Sequence, residues 1–190
     1  MTRKRSTAAP AAADAVLLAA QAGEPGALRA LYEELAPRVV AYLRARGAPD
    51  AEDLTSEVFL TVLPRLATVT GGAAGLRTFV FSVAHARLVD GHRARARRPD
   101  PVSYEPSTDQ RSAPSAEEEA NRQLGTDRAV ALLTRLPASQ RDVLMLRVLG
   151  DLTVEQVART LGTSEGAVKQ LQRRGLAGLR ALVEDGAVTL

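Results

Sequence analysis

Gly162 divides the stretch Asp151–Arg174 into two short helical patterns, and this punctuation constrains the fold more than any other feature of the chain. Upstream, Thr153 can N-cap a helix, with Gln156 three residues on as the return half of a capping box. Val154, Val157, Ala158 and Leu161 then fall on one face. Glycine tolerates positive φ without strain, so Gly162 marks a sharp turn. Thr163 or Ser164 can cap the second helix, and its Val168 and Leu171 face back toward the first. Ala158 is small where the two helices would cross. The pattern is that of a helix-turn-helix. Ser164, Glu165, Lys169, Gln170, Arg173 and Arg174 lie at the start and on the outer face of its second helix, where such side chains can reach base edges and phosphates in a major groove. A plain helical hairpin with a polar outer face would share the spacing; the basic outer face argues against it.

The rest of the composition fits an all-α chain. Only 3% of the 190 residues are aromatic, and alanine, leucine and arginine dominate. There is no cysteine, hence no disulfide framework and no thiolate metal site, which is compatible with a cytoplasmic location. No apolar run approaches the ~20 residues that span a bilayer. The net charge of +3 leans mildly toward polyanionic partners. No phosphate-cradling glycine loop, nucleophile–base motif or paired-carboxylate motif is present, so no catalytic chemistry or cofactor is expected. His85 and His92 share a helix face without a carboxylate at ligand spacing, a weak basis for a metal site.

Along the chain, residues 1–13 form an Ala/Pro-rich tail expected to be disordered. Asp14 can cap a short helix that stops near Gly23, and Pro25 suits the first turn of a longer one with a kink expected at Pro37. Asp50 or Asp53 opens a third helix striped by Leu54, Val58, Phe59, Val62, Leu63 and Leu66, which should end or bend at Pro64. A glycine-rich loop is expected over 67–75. A long helix follows from about Leu76 to Arg95, with Leu76, Phe79, Val80, Val83, Ala84 and Leu88 inward. Its end is basic: Arg87, Arg93, Arg95, Arg97 and Arg98 against the single Asp90. Cations are favoured at any helix C-terminus, so charge alone does not separate nucleic-acid binding from a solvated end. Residues 99–115 carry four prolines and read as a linker. Ser115 with Glu118 can start the next helix as a capping box. Leu136–Gln140 separates it from one striped by Val143, Leu144, Leu146 and Leu149. The expected organisation is thus two small helical domains, 14–98 and 116–184, between a tail at 1–13 and another at 185–190. No long regulatory extension is expected after residue 184.

Taken together, these residues carry a family resemblance. Leu136–Arg147, Leu152–Ala158 and Gly166–Arg174 resemble the promoter-binding C-terminal domain of extracytoplasmic-function sigma factors, the group IV sigma factors of bacterial RNA polymerase. Asp50–Phe59 resembles their polymerase-docking helix, and Leu76–Arg98 the helix that melts and reads the −10 element. Phe79 stands where the family usually has tryptophan, and Ala86 where it often has asparagine; Asp90 and Arg93 are retained.

The resemblance implies a specificity subunit rather than an enzyme, with core RNA polymerase, promoter DNA and an anti-sigma factor as partners. It implies that Asp50, Glu52, Asp53, Glu57 and Phe59 meet the polymerase. It assigns Phe79, Arg87, Asp90, Arg93, Arg95, Arg97 and Arg98 to the −10 region, and Ser164, Glu165, Lys169, Gln170, Arg173 and Arg174 to the −35 element. The loop at 67–75 would then take an extruded −10 base. The seventeen linker residues, at about 3.3 Å each, reach roughly 56 Å, or about 16 base pairs, so two domains could hold two separated boxes. The alternatives are a stand-alone helix-turn-helix regulator and a protein-interaction module. The acidic docking helix and the lack of a dimerisation heptad count against the first.

Overall fold

The computed structural model describes residues 8–96 and 131–184, with side chains over 11–93 and 131–184. The linker, the capping box at Ser115, the side chain of Arg95, and Arg97 and Arg98 lie outside the described residues. The described part is helical, arranged as two helical domains. The first comprises α1 (Ala8–Gln21), α2 (Pro25–Ala45), α3 (Ala51–Val62), a 3-10 helix (Leu63–Thr68) and α4 (Gly72–Ala96). The second, after a helical end at 131–134, comprises α5 (Ala138–Val148), α6 (Val154–Leu161) and α7 (Glu165–Glu184).

Two N-terminal expectations change. α1 begins at Ala8, so residues 8–13 are helical and Asp14 lies within the helix rather than at its cap. Buried Leu17 and Ala20 hold the helix, and the alanines before Asp14 continue it N-terminally because alanine carries almost no side-chain entropy cost. α2 starts on Pro25 and runs through Pro37 to Ala45. Leu31 and Leu35 before Pro37, and Val39, Tyr42 and Leu43 after it, are all buried, so packing on both sides holds the helix across the missing amide donor.

α3 buries Val58, Phe59 and Val62, and Pro64 converts its continuation into the 3-10 helix. Leu63, expected on the inner stripe, is 39% exposed, because the tighter winding rotates it outward. α4 starts earlier than its apolar periodicity implies, at Gly72, which leaves a loop of only three residues, 69–71. Phe81, not Phe79, is its fully buried ring, packed edge-on to Tyr42 at 5.7 Å.

The helix-turn-helix forms as its spacing predicts. Thr153 accepts from Gln156 N–H at 3.2 Å, and Gln156 Oε1 accepts from Thr153 N–H at 2.7 Å, closing the capping box. Gly162 takes φ +63°. Of the two candidate caps for α7, Ser164 is the one whose Oγ accepts from Ala167 N–H, at 3.2 Å.

The two domains pack against each other. One buried cluster runs from Leu17 and Val39 through Val80 and Phe81 to Val143, Leu146, Leu152 and Val157. Arg46 Nε lies 2.7 Å from Asp142 Oδ1 across the seam, both side chains nearly buried. Arg77 and Asp151 pair at 3.5 Å, and Ser82 and Thr160 share a hydroxyl hydrogen bond of 3.1 Å. Asp151 sits at φ +49°, a region that aspartate tolerates better than most residues. The side of α5 that would face solvent in an isolated domain therefore carries buried Asp142 and Met145.

Candidate nucleic-acid interface

The outer face of α7 stays open. Ser164, Glu165, Lys169, Gln170, Arg173 and Arg174 are all exposed, while Val168 is fully buried against the rest of the domain. The buried stripe fixes the helix, and the fixed helix presents a polar, cationic row. Lys169 pairs with Glu165 one turn earlier at 3.6 Å. Such an exposed i,i+4 pair is worth only about 0.3–0.5 kcal/mol, so phosphate can displace it at little cost.

In the first domain the acidic and basic residues assigned to separate partners lie close together. Asp50, Glu52, Asp53 and Glu57 are exposed at and along α3, and the helix macrodipole favours Glu52 and Asp53 in its first turn. Glu52 is bonded to Arg44. Glu57 lies 3.8 Å from Arg87 on α4, and Arg87 also donates to Thr61 Oγ1 at 3.2 Å. Arg87 is thus tied to α3 in this arrangement. Asp90 and Arg93 are exposed and 4.0 Å apart. Phe59 does not belong to the surface set: it is 4% exposed, with its ring against Tyr32 at 4.7 Å. Its place on the apolar stripe of α3 outweighs its position in the docking motif.

Phe79 is half-buried on the wall of a cavity of about 600 Å³. Thr68, Val69, Thr70 and Gly71 form one side, Thr78, Phe79 and Ser82 of α4 another, and Gln156 and Arg159 of α6 complete it from the second domain. The aromatic face and hydroxyls that the first domain contributes are groups that stack on and hydrogen-bond to a planar base. Sequence patterning did not identify Gln156 or Arg159, because nothing within α6 reports what the helix faces in the other domain. Arg46 and Asp142 were missed for the same reason.

His85 forms a 2.9 Å hydrogen bond through Nδ1 with the Tyr42 hydroxyl. Burial raises the Tyr42 pKa well above its ordinary value, so the hydroxyl stays protonated and can donate to the neutral ring. Burial, and secondly the Arg46 charge, hold the His85 imidazole below its usual pKa. His92, two turns further along the same face, is exposed.

No described helix is long and apolar enough to cross a membrane. Residues 31–98 match the family model for sigma-70 region 2, and residues 132–181 that for sigma-70, region 4. The chain is 34% identical over 174 residues to the ECF RNA polymerase sigma factor SigD of Mycobacterium tuberculosis, covering 88% of this chain and 82% of that one. It is 34% identical over 174 residues to the ECF RNA polymerase sigma factor ShbA of Streptomyces griseus subsp. griseus, covering 86% and 91%. Among solved structures, CnrH in complex with the cytosolic domain of CnrY shares the fold, with a TM-score of 0.61 at 20% identity, over 92% of this chain and 99% of that one. Two helical domains in this order, an open cationic helix-turn-helix face and these matches place the chain in the ECF sigma factors, which associate with RNA polymerase, bind DNA and direct transcription initiation.

Proposed function

We propose that the two domains divide promoter recognition between them. α7 reads the −35 duplex through Lys169, Gln170, Arg173 and Arg174, with Ser164 and Glu165 at its N-terminal end near the backbone. The basic end of α4 follows the −10 strand, and the cavity beside Phe79 takes an extruded base, which a snug site must compensate for the lost stacking. The exposed carboxylates of α3 dock on core polymerase, and Phe59 supports that surface from beneath. The observation that carries the reading is the open row on α7 above a fully buried Val168.

The cavity adds a requirement. Gln156 and Arg159 form part of its wall, so a strand reaching Phe79 displaces α6 and the domains separate on the promoter. Extended linker of roughly 56 Å accommodates that separation. An anti-sigma factor that covers both domains would hold them together, in the cytoplasm, and no catalytic step belongs to the chain itself.

Run-off transcription with core polymerase and a cognate promoter tests this reading. Arg173→Ala and Arg174→Ala should each weaken −35 binding across sequences and lower the salt dependence by about one phosphate contact. Gln170→Ala should instead change which −35 sequence is preferred. Full promoter activity in the double Arg173→Ala/Arg174→Ala variant would remove the −35 assignment.

A further inference from the structure

α1 lies outside the segment that matches the region 2 family model, residues 31–98. It nevertheless carries the side chains that fasten the loop beside Phe79. Gln21 Nε2 donates to Leu66 O and Val69 O, both at 3.0 Å, from 45 and 48 residues away. Asp14 Oδ1 accepts from Ala73 N–H at 2.7 Å, from 59 residues away. These bonds clamp both ends of the short loop. Gln21 holds its entry from the 3-10 helix, and Asp14 satisfies one of the free amides that open α4.

The glycines are fitted to the same clamp. Gly72 sits at φ +63°, and a Cβ there would lie 2.5 Å from Asp14 Oδ1. A Cβ on Gly75 would lie 1.8 Å from Thr70 O. The backbone of the loop therefore comes close to α4, while α1 holds it from the opposite side. Val69, Thr70 and Gly71, which the clamp fixes, form one wall of the cavity. Asp14 and Gln21 do not themselves line it. Their effect passes through the loop.

We infer that Asp14 and Gln21 are positioning residues for −10 recognition: they fix the loop 69–71 as the wall that faces Phe79 across the cavity. A loop anchored at both ends loses little conformational freedom when the base enters, so more of the contact energy appears as affinity. The inference rests on reading the cavity as the pocket for an extruded base.

The test uses reconstituted holoenzyme on forked promoter DNA with either a base or an abasic site at successive −10 positions. The wild type should prefer a base at one position. Asp14→Ala, which loses one hydrogen bond of ordinary strength, should reduce that preference by about fivefold, and Gln21→Ala, which loses two, by more. Core binding and −35 dependence should stay at the wild-type level. Asp14→Asn keeps an oxygen acceptor for Ala73 N–H and should restore most of the preference. Gln21→Glu is isosteric, cannot donate to the two carbonyls, and should be at least as impaired as Gln21→Ala. If alanine at either position weakens folding, as seen in thermal melts, the Glu and Asn variants carry the test. Full base preference in Gln21→Glu would overturn the positioning role, and so would Asp14→Asn as impaired as Asp14→Ala. No base preference at any position in the wild type would instead remove the pocket itself.

Discussion

Two of the glycine turns, at Gly162 and at Gly71–Gly72, are stabilised in opposite ways. The turn at Gly162 is self-sufficient: the Thr153–Gln156 capping box, the left-handed glycine and the Ser164 cap all lie within a dozen residues. The turn at Gly71–Gly72 depends on partners 45 to 59 residues away on α1. The first turn sets the angle of a recognition helix, which has to be the same whatever the rest of the chain does. The second shapes a cavity whose walls come from three separate segments, so its geometry can be set only once those segments have packed. Local bonds form at little loop-closure cost, whereas distant ones form only after the entropy of bringing the segments together has been overcome.

The same substitution at two glycines gives the sharpest contrast. Gly75→Ala drives a Cβ into the Thr70 carbonyl, which is backbone and cannot rotate away. It should cost about 4 kcal/mol, measured by urea unfolding. Equal costs here and at Gly162 would erase the distinction between the two turns.

Arg46→Ala comes next, at about 3 kcal/mol, because it leaves Asp142 in the seam without its partner. Replacing both residues with leucine should recover much of that loss in the same unfolding assay. A single variant as stable as the wild type would mean the seam opens freely and the long-range contacts are weaker than their geometry implies.

Gly162→Ala should cost roughly 1–2 kcal/mol, the penalty for a left-handed alanine, since a Cβ there meets nothing within 4 Å. Thr153→Ala should cost about 1 kcal/mol through loss of the cap. Both should lower −35 duplex binding no more than the unfolded fraction accounts for. A larger binding defect would show that the turn is tuned rather than merely closed.

The smallest effect is on pH. The folded state holds the His85 pKa down, so it binds fewer protons there than the unfolded chain. That contribution is present above about 6.5 and is lost as pH falls through the lowered folded value. Asp142 runs the other way, because burial raises its carboxyl against the lowering by Arg46 and Arg141. Its contribution is full below about 3.9 and is lost as pH rises through the raised value, so the two windows differ. The melting temperature should therefore drop between pH 7.5 and 5.5 in the wild type and drop less in His85→Gln. An unchanged slope would assign it to another group.

The motif order was legible because its determinants are short-ranged. Apolar spacing located α2 to α4 and the helix-turn-helix, and Pro64 ended α3 where its missing amide requires. The exposed row on α7 followed from the buried stripe behind it. A stripe position and a docking motif coincide on Phe59, and packing against Tyr32 puts its ring inside. Phe81 was missed for a related reason. Helical periodicity offers several faces near one another, and Tyr42 selects which is innermost.

By itself, then, the sequence determined the helices, the turn at Gly162 and the family, because caps, prolines and periodic faces act over less than two turns of helix. Only the tertiary structure decided the rest: that Asp14 leaves its expected capping role to hold α4, that Gln21 secures the loop beside Phe79, and that α6 closes the cavity. Those outcomes depend on pairs far apart in the chain, and a polar side chain carries no local mark of the distant backbone group that will satisfy it.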